Sequence, residues 1–147
     1  MGLERRTPLT RTTPLRSGAP PRRGGRLAPV SAKRAAQRPA RDEIRAQVFA
    51  RDGHRCLLAD QQGGVPSCLG RLTPHHLRKA SQQGGYTLAN LVTLCVRHND
   101  WLETDVGARF ARLAGLVVRH GVTLEDAWAL LRVHGLVTYD STGRPLP

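Results

Sequence analysis

Four residues of the types that commonly bind zinc lie within a short part of this 147-residue chain: Cys56, Cys68, Cys95 and His98. An odd number of cysteines argues against a closed disulfide framework. Three thiolates and one imidazole are instead an established ligand set for tetrahedral structural zinc, and the Cys95-x-x-His98 spacing suits a metal-binding turn. Eleven residues separate Cys56 from Cys68, so the loop between them must fold back. The pattern predicts structural Zn²⁺, with ordinary buried thiols as the alternative.

A metal site also fits the thin hydrophobic core that this composition allows. Only 39% of the residues are hydrophobic and 4% are aromatic, and small domains bury a limited fraction of their surface. The length suits one modest domain with extensions, and a metal ion is a common added source of stability at this size.

The net charge of +12 is concentrated near the N-terminus. Residues 1–41 contain eleven Lys or Arg and one acidic residue, whereas the remaining residues contain 12 basic and 10 acidic side chains. Nucleic acid is the expected partner of such a segment, because phosphate neutralisation releases counterions. A solvated tail without a partner is the alternative. The prolines and glycines of residues 1–39 oppose regular structure and predict a disordered basic arm.

Neither a membrane nor secretion is expected for this sequence. No apolar run approaches the roughly 20 residues of a membrane-spanning helix, and the N-terminus lacks the apolar region of a secretory signal. We therefore expect a cytoplasmic protein that keeps its cysteines reduced.

Periodicity and turn residues predict an α+β fold with its core at residues 40–104. A helix is expected from about residue 40 to Asp52-Gly53, followed by a strand at 69–73 that Pro74 ends. A second strand is expected at 91–94 and a helix at 95–101. Together these elements would form a small core stabilised by a structural zinc ion.

Residues 105–147 are predicted to form an appendage of helices and a β-hairpin. A helix at 105–114 is closed by Gly115, and Thr123-x-x-Asp126 resembles a capping box that begins a further helix. Short strands at 116–119 and 136–139 are expected to pair with each other. We interpret this appendage as a packing module without chemistry of its own.

Four polar residues lie inside the core segment at positions that suit a hydrolytic site: His75, His76, Asn90 and Asn99. Side chains alternate along an extended segment, so one of the adjacent histidines could bind a metal while the other faces a water. Asn99 would project from its helix towards the same place. A metal with few protein ligands keeps positions open for water and a phosphate oxygen. Each residue taken alone is more often an ordinary polar or turn residue.

Taken together, residues 51–103 closely resemble the HNH endonuclease family. The segments His75-His76-Leu77, Gly84-Gly85, Asn90 to Cys95 and Val96 to Asn99 follow the family's order. His76 and Asn90 are 14 positions apart, and Asn90 and Asn99 are nine apart, as in the family's ββα-metal (His-Me finger) core. The resemblance implies a metal-dependent nuclease core at residues 40–104. The basic arm is similar to the start of some phage-encoded proteins.

The resemblance implies a role for each matching residue. His76 would be the general base that activates water, and Asn90 would fix the loop and orient the imidazole of that base. His75 and Asn99 would hold one catalytic divalent cation, Mg²⁺ or Mn²⁺ or alternatively Ni²⁺ or Zn²⁺. The basic side chains that follow the histidine pair would contact DNA phosphates: Arg78 and Lys79.

The chain departs from the family pattern at two positions. His98 stands where zinc-bearing members have a fourth Cys, and His75 stands where a carboxylate is usual, which leaves the identity of the catalytic metal open. Two alternatives stay open. The roles of His75 and His76 could be exchanged, or His98 could replace Asn99 as the catalytic ligand, although the nine-residue spacing argues against the second.

The resulting expectation is a phage-encoded endonuclease that hydrolyses phosphodiester bonds in double-stranded DNA, with phage packaging proteins as candidate partners. A zinc-stabilised nucleic-acid-binding protein without catalysis is the alternative from another class. RNA is the alternative substrate.

Overall fold

Helix α1 spans Ala32–Arg51, so its first two turns fall in the range that the sequence assigned to the disordered arm. The computed structural model describes residues 31–119 and 121–144, so the prediction for residues 1–30 lies outside the described residues. Pro39 lies inside α1 and supplies no N–H. Residues 32–41 are all exposed, so water can hydrate the carbonyl that Pro39 leaves without a helical partner. As predicted, α1 ends before Gly53, which has a φ of 65°.

The sheet in the described residues consists of two antiparallel strands, β1 (Leu72–His76) and β2 (Leu91–Cys95). The sequence placed the first strand about three residues too early and ended it at Pro74. Pro74 lies inside β1 opposite Thr93. The backbone N–H of Thr93 donates to Asp52 and its carbonyl accepts from Leu57, so neither faces β1. Pro74 therefore needs no N–H at this position of the ladder.

Helix α2 (Val96–Trp101) follows β2 without a linker. The Sγ atom of Cys95 accepts the backbone N–H of His98 and so caps the helix. Because the strand passes straight into the helix, residues at the start of α2 lie beside β1. This compact hairpin and helix position the candidate site.

Helices α3 (Asp105–Leu113) and α4 (Leu124–Val133) complete the described elements, and the predicted capping box of Thr123 and Asp126 is present at the start of α4. The predicted strand pairing of 116–119 with 136–139 is absent from the described residues. The N–H of Val118 instead donates to the carbonyl of Leu77, at 2.8 Å. Residues 116–118 therefore follow the chain just after β1, and their backbone groups are not free to pair with 136–139.

A buried ion pair joins the end of α1 to the rest of the protein. Arg51 Nε lies 2.7 Å from Asp52 Oδ1, and both side chains are almost fully buried. Arg51 also donates to three backbone carbonyls, those of Leu88, Leu91 and Ser141. Asp52 accepts from Thr93 and from the hydroxyl of Tyr139. This network connects α1, β2 and the C-terminal segment.

None of the helices in the described part of the chain is long and apolar enough to cross a lipid bilayer.

Candidate functional site

The fold brings Cys56, Cys68, Cys95 and His98 together from three parts of the chain: the turn after α1, the loop before β1 and the β2–α2 junction. Their ligand atoms all lie within 4.8 Å of one another. Sulfur ligands on tetrahedral zinc lie roughly 3.8 Å apart, given Zn–S bonds of about 2.3 Å. Small inward rotations of these side chains would therefore complete a tetrahedron. The cluster could hold a structural metal ion such as zinc, as the sequence predicts.

The ring of His98 is oriented towards the sulfur atoms by the loop that it contacts. Its Nε2 faces the carbonyl of Pro66, which can only accept, so Nε2 carries the proton. Nδ1 is then a free acceptor, 3.1 Å from Cys56 Sγ and 3.7 Å from Cys68 Sγ. Metal-binding histidines are commonly fixed in this way. The tautomer of His98 therefore suits a metal ligand.

Burial raises the pKa of the Cys56 thiol to about 12 and also raises the pKa of Cys68. Burial likewise raises the pKa of Cys95, but backbone N–H donors, that of His98 among them, lower it to a net value below the usual one. Three thiolates at this separation repel one another, and a bound cation would offset that repulsion.

A second group of polar residues lines a cleft of about 260 Å³ between β1 and α2. The cleft contains both histidines of β1, Asn99 from α2, and the Lys79–Glu103 ion pair at 2.8 Å. The structure thus brings three of the four predicted chemical residues, His75, His76 and Asn99, to one open site.

His75 is buried and held in one tautomer. Its Nε2 lies 2.9 Å from the carbonyl of Leu116, so Nε2 donates and Nδ1 carries the lone pair. Nδ1 faces Asn99 Oδ1 at 3.0 Å. Both facing atoms are acceptors in this arrangement, and a shared cation would satisfy both. The donor set therefore fits a divalent ion, with one imidazole nitrogen and one amide oxygen.

His98 and Asn99 point to different sites although they are neighbours on α2. The ring of His98 lies in the cysteine cluster, whereas the amide of Asn99 lies in the cleft beside His75. This geometry favours Asn99, the residue assigned from the sequence, over the alternative His98 as the candidate ligand in the cleft.

His76 is half-buried at the edge of the same cleft. Its ring meets Tyr86 edge-on, with centroids 5.6 Å apart, and the guanidinium of Arg41 lies 5.2 Å from the Tyr86 centroid. Burial lowers the pKa of His76, and two smaller effects act in the same direction: the repulsion that a second protonated imidazole at His75 would cause, and the nearby charge of Arg41. The surroundings of His76 therefore favour its neutral imidazole, the form that can accept a proton.

Asn90 is fully buried and uses its whole side-chain amide on the loop after β1. Its Oδ1 accepts the N–H of Arg78 at 2.8 Å, and its Nδ2 donates to the carbonyls of Arg78 and Gly85 at 3.1 and 2.8 Å. The backbone N–H of Leu77 also donates to the carbonyl of Asn90. Asn90 therefore fixes the chain two residues beyond His76.

The two predicted phosphate contacts occupy different surroundings. Lys79 is exposed and paired with Glu103 at the mouth of the cleft. Arg78 is half-buried, and its Nη2 donates to the carbonyl of Val122 at 2.8 Å. Only Lys79 lines the cleft that contains the histidines.

Several contributors to the site carry no sequence signal. The carbonyl that orients His75 belongs to Leu116, 41 residues away. Tyr86 and Arg41 reach His76 from a loop and from α1. Glu103 could have been considered, because it lies one helical turn beyond Asn99.

Comparisons of the chain with protein-family models, characterised proteins and solved structures found no match.

Proposed function

We propose that this protein is a metal-dependent endonuclease of the HNH type that hydrolyses phosphodiester bonds in DNA. The observation that carries the proposal is the cleft in which Nδ1 of His75 and Oδ1 of Asn99 converge at 3.0 Å and which His76 also lines. The hairpin β1–β2 followed directly by α2 supports the interpretation of this region as a ββα-metal core.

His75 and Asn99 would hold the divalent cation. A cation there would polarise the scissile phosphate and stabilise the leaving 3′ oxygen. His76 would accept a proton from the attacking water, for which its lowered pKa suits it at neutral pH. Asn90 would keep the backbone beside His76 in place, and Leu116 would keep His75 in the tautomer that exposes Nδ1.

Plasmid cleavage tests the proposal directly. The wild-type chain should nick or linearise supercoiled plasmid with added Mg²⁺, Mn²⁺ or Ni²⁺ and lose this activity with EDTA. His76→Ala should lower the rate about 100-fold or more, because it removes the general base. Asn99→Ala should raise the metal concentration needed for half-maximal rate. His134→Ala is the matched control, since His134 is exposed at the end of α4 and should leave cleavage unchanged.

Circular dichroism and zinc content must show that each variant is folded. The nuclease proposal would be overturned if the wild-type chain cut no plasmid with any of the ions while both it and His76→Ala still bound DNA. That result would favour a zinc-stabilised binding protein. The same assay with a labelled RNA decides between the two substrates.

A further inference from the structure

A groove larger than the histidine cleft opens on the other side of the loop that follows β1. Its volume is about 410 Å³, and Arg78, Gln82, Gln83, Arg119 and Gly121 line it. No carboxylate is among these lining residues in the described part of the chain. Two guanidinium groups and two amides form a surface that suits an anion with several oxygen acceptors.

The groove and the histidine cleft are separated by one short segment. Arg78 lines the groove and Lys79 lines the cleft, although they are adjacent in the chain. The segment then forms a 3₁₀ turn at Ala80–Gln82, with Ala80 on the cleft side and Gln82 on the groove side. Each DNA strand carries a phosphate every ~3.4 Å along the helix axis. A strand seated in the cleft would thus bring further phosphates past this segment.

Both walls of the groove are held by hydrogen bonds, side chain to backbone at Arg78 and backbone to backbone at Arg119. The peptide groups of Arg78 are fixed by the amide of Asn90, and its guanidinium is tied to the carbonyl of Val122. The N–H of Val122 in turn donates to the carbonyl of Arg119 at 3.1 Å. A preformed groove loses little conformational entropy when it binds a ligand.

Arg119 is the exposed basic residue of the groove, whereas the guanidinium of Arg78 is bonded to the carbonyl of Val122. The described residues include no carboxylate that pairs with Arg119. Arg119 also lines a smaller neighbouring pocket of about 90 Å³, so its exposed side chain is available to an external anion on this face.

We propose that the groove between Arg78 and Arg119 binds backbone phosphates of the DNA strand beside the bond that is cut. This inference rests on the proposed nuclease function and assigns a strand-binding surface to it. Arg119 contacts phosphate directly, Arg78 shapes the groove and adds charge, and the amides of Gln82 and Gln83 bond to phosphate or sugar oxygens.

The test compares Arg119→Gln with Arg109→Gln, which removes the same charge from an exposed position of α3 that lines neither the groove nor the cleft. Binding of a labelled duplex oligonucleotide is measured over a range of salt concentrations without an added divalent ion. Arg119→Gln should lower the slope of log K against log salt by about 0.9, the value for one phosphate contact, and weaken binding up to about tenfold. Arg109→Gln should keep the wild-type slope.

Equal slopes and affinities for Arg119→Gln and wild type would overturn the inference. So would calorimetric binding of inorganic phosphate that Arg119→Gln abolishes while duplex binding stays unchanged, because the groove would then serve a free anion. Cleavage of plasmid by the same proteins separates the two proposals. An Arg119-dependent slope in a chain that cuts nothing would support the groove and reject the nuclease, whereas cleavage with an Arg119-independent slope would do the reverse.

Discussion

At the scale of single residues, the proposed cleavage reaction depends on the protonation state of His76. Burial, the repulsion that a protonated His75 would cause and the charge of Arg41 all lower its pKa below the ordinary 6.5. A base must be unprotonated to accept a proton, so the cleavage rate should rise with pH through the pKa of His76 and level off above it. The acid limb of the rate profile should therefore lie below pH 6.5.

Arg41→Gln tests this cause, because it removes a positive charge that opposes protonation of His76. The pKa of His76 should rise, and only modestly because both groups are partly exposed. The acid limb of the rate profile and the NMR titration of the His76 ring should both move upward together. Arg45→Gln is the control, since Arg45 pairs with Asp42 and contributes no shift at His76. A titration that moves equally in both variants would contradict the assignment to Arg41.

At the scale of elements, a metal ion bound by the cysteine cluster would hold α2 against the turn after α1 and the loop before β1. Loss of the metal should therefore displace α2 and with it Asn99.

Cys56→Ser should release the zinc and lower the free energy of unfolding by about 3 kcal/mol or more, the stabilisation expected from a ligand held well above its dissociation constant. Zinc release in a colorimetric assay and urea unfolding measure the two effects. Ser67→Ala, an exposed neighbour of Cys68, should change neither. If the zinc-free Cys56→Ser variant kept the wild-type free energy of unfolding, the cluster would not stabilise the fold through a bound metal.

Elements with a local signal were predicted well from the sequence, and those that depend on distant partners were not. The capping box of Thr123 and Asp126, and the β2–α2 junction at Cys95, follow from residues that are neighbours in the chain. Pro39 was read as the boundary between the disordered arm and the first helix. The helix continues through it because the segment is exposed, and water replaces the helical hydrogen bond that proline cannot donate. The pairing of 116–119 was mispredicted because its partner is Leu77, which periodicity cannot identify.

The candidate site likewise combines residues that could be predicted from the sequence with residues that could not. The four residues of the cysteine cluster were grouped from residue type and spacing, since a metal site needs particular donors at particular intervals. The three residues of the cleft were grouped from the resemblance to the HNH family. The carbonyl of Leu116, the ring of Tyr86 and the charge of Arg41 come from segments distant in the chain. Their contributions exist only after folding, so no local pattern indicates them.

At the scale of the whole molecule, the C-terminal segment is part of the site's support and more than a packing module. Leu116 fixes the tautomer of His75, and Tyr139 donates to Asp52 at the end of α1. Trp128 on α4 lies under the guanidinium of Arg51 at 4.7 Å and donates its N–H to the carbonyl of Ala89. The Arg51–Asp52 pair thus connects segments up to 90 residues apart.

This connection predicts that Asp52→Asn destabilises the entire fold. The variant leaves the buried guanidinium of Arg51 without its carboxylate, and breaking a buried pair on one side costs about 3–5 kcal/mol. That loss is a large part of the roughly 5–15 kcal/mol that stabilises a domain, so the urea midpoint should fall steeply. Asp60→Asn is the matched control, because it breaks the exposed Arg55–Asp60 pair at the same 2.7 Å and should cost under about 1 kcal/mol. Similar midpoints for the two variants would mean that Arg51 is held by its carbonyl contacts alone, and that the ion pair does not join the C-terminal segment to α1.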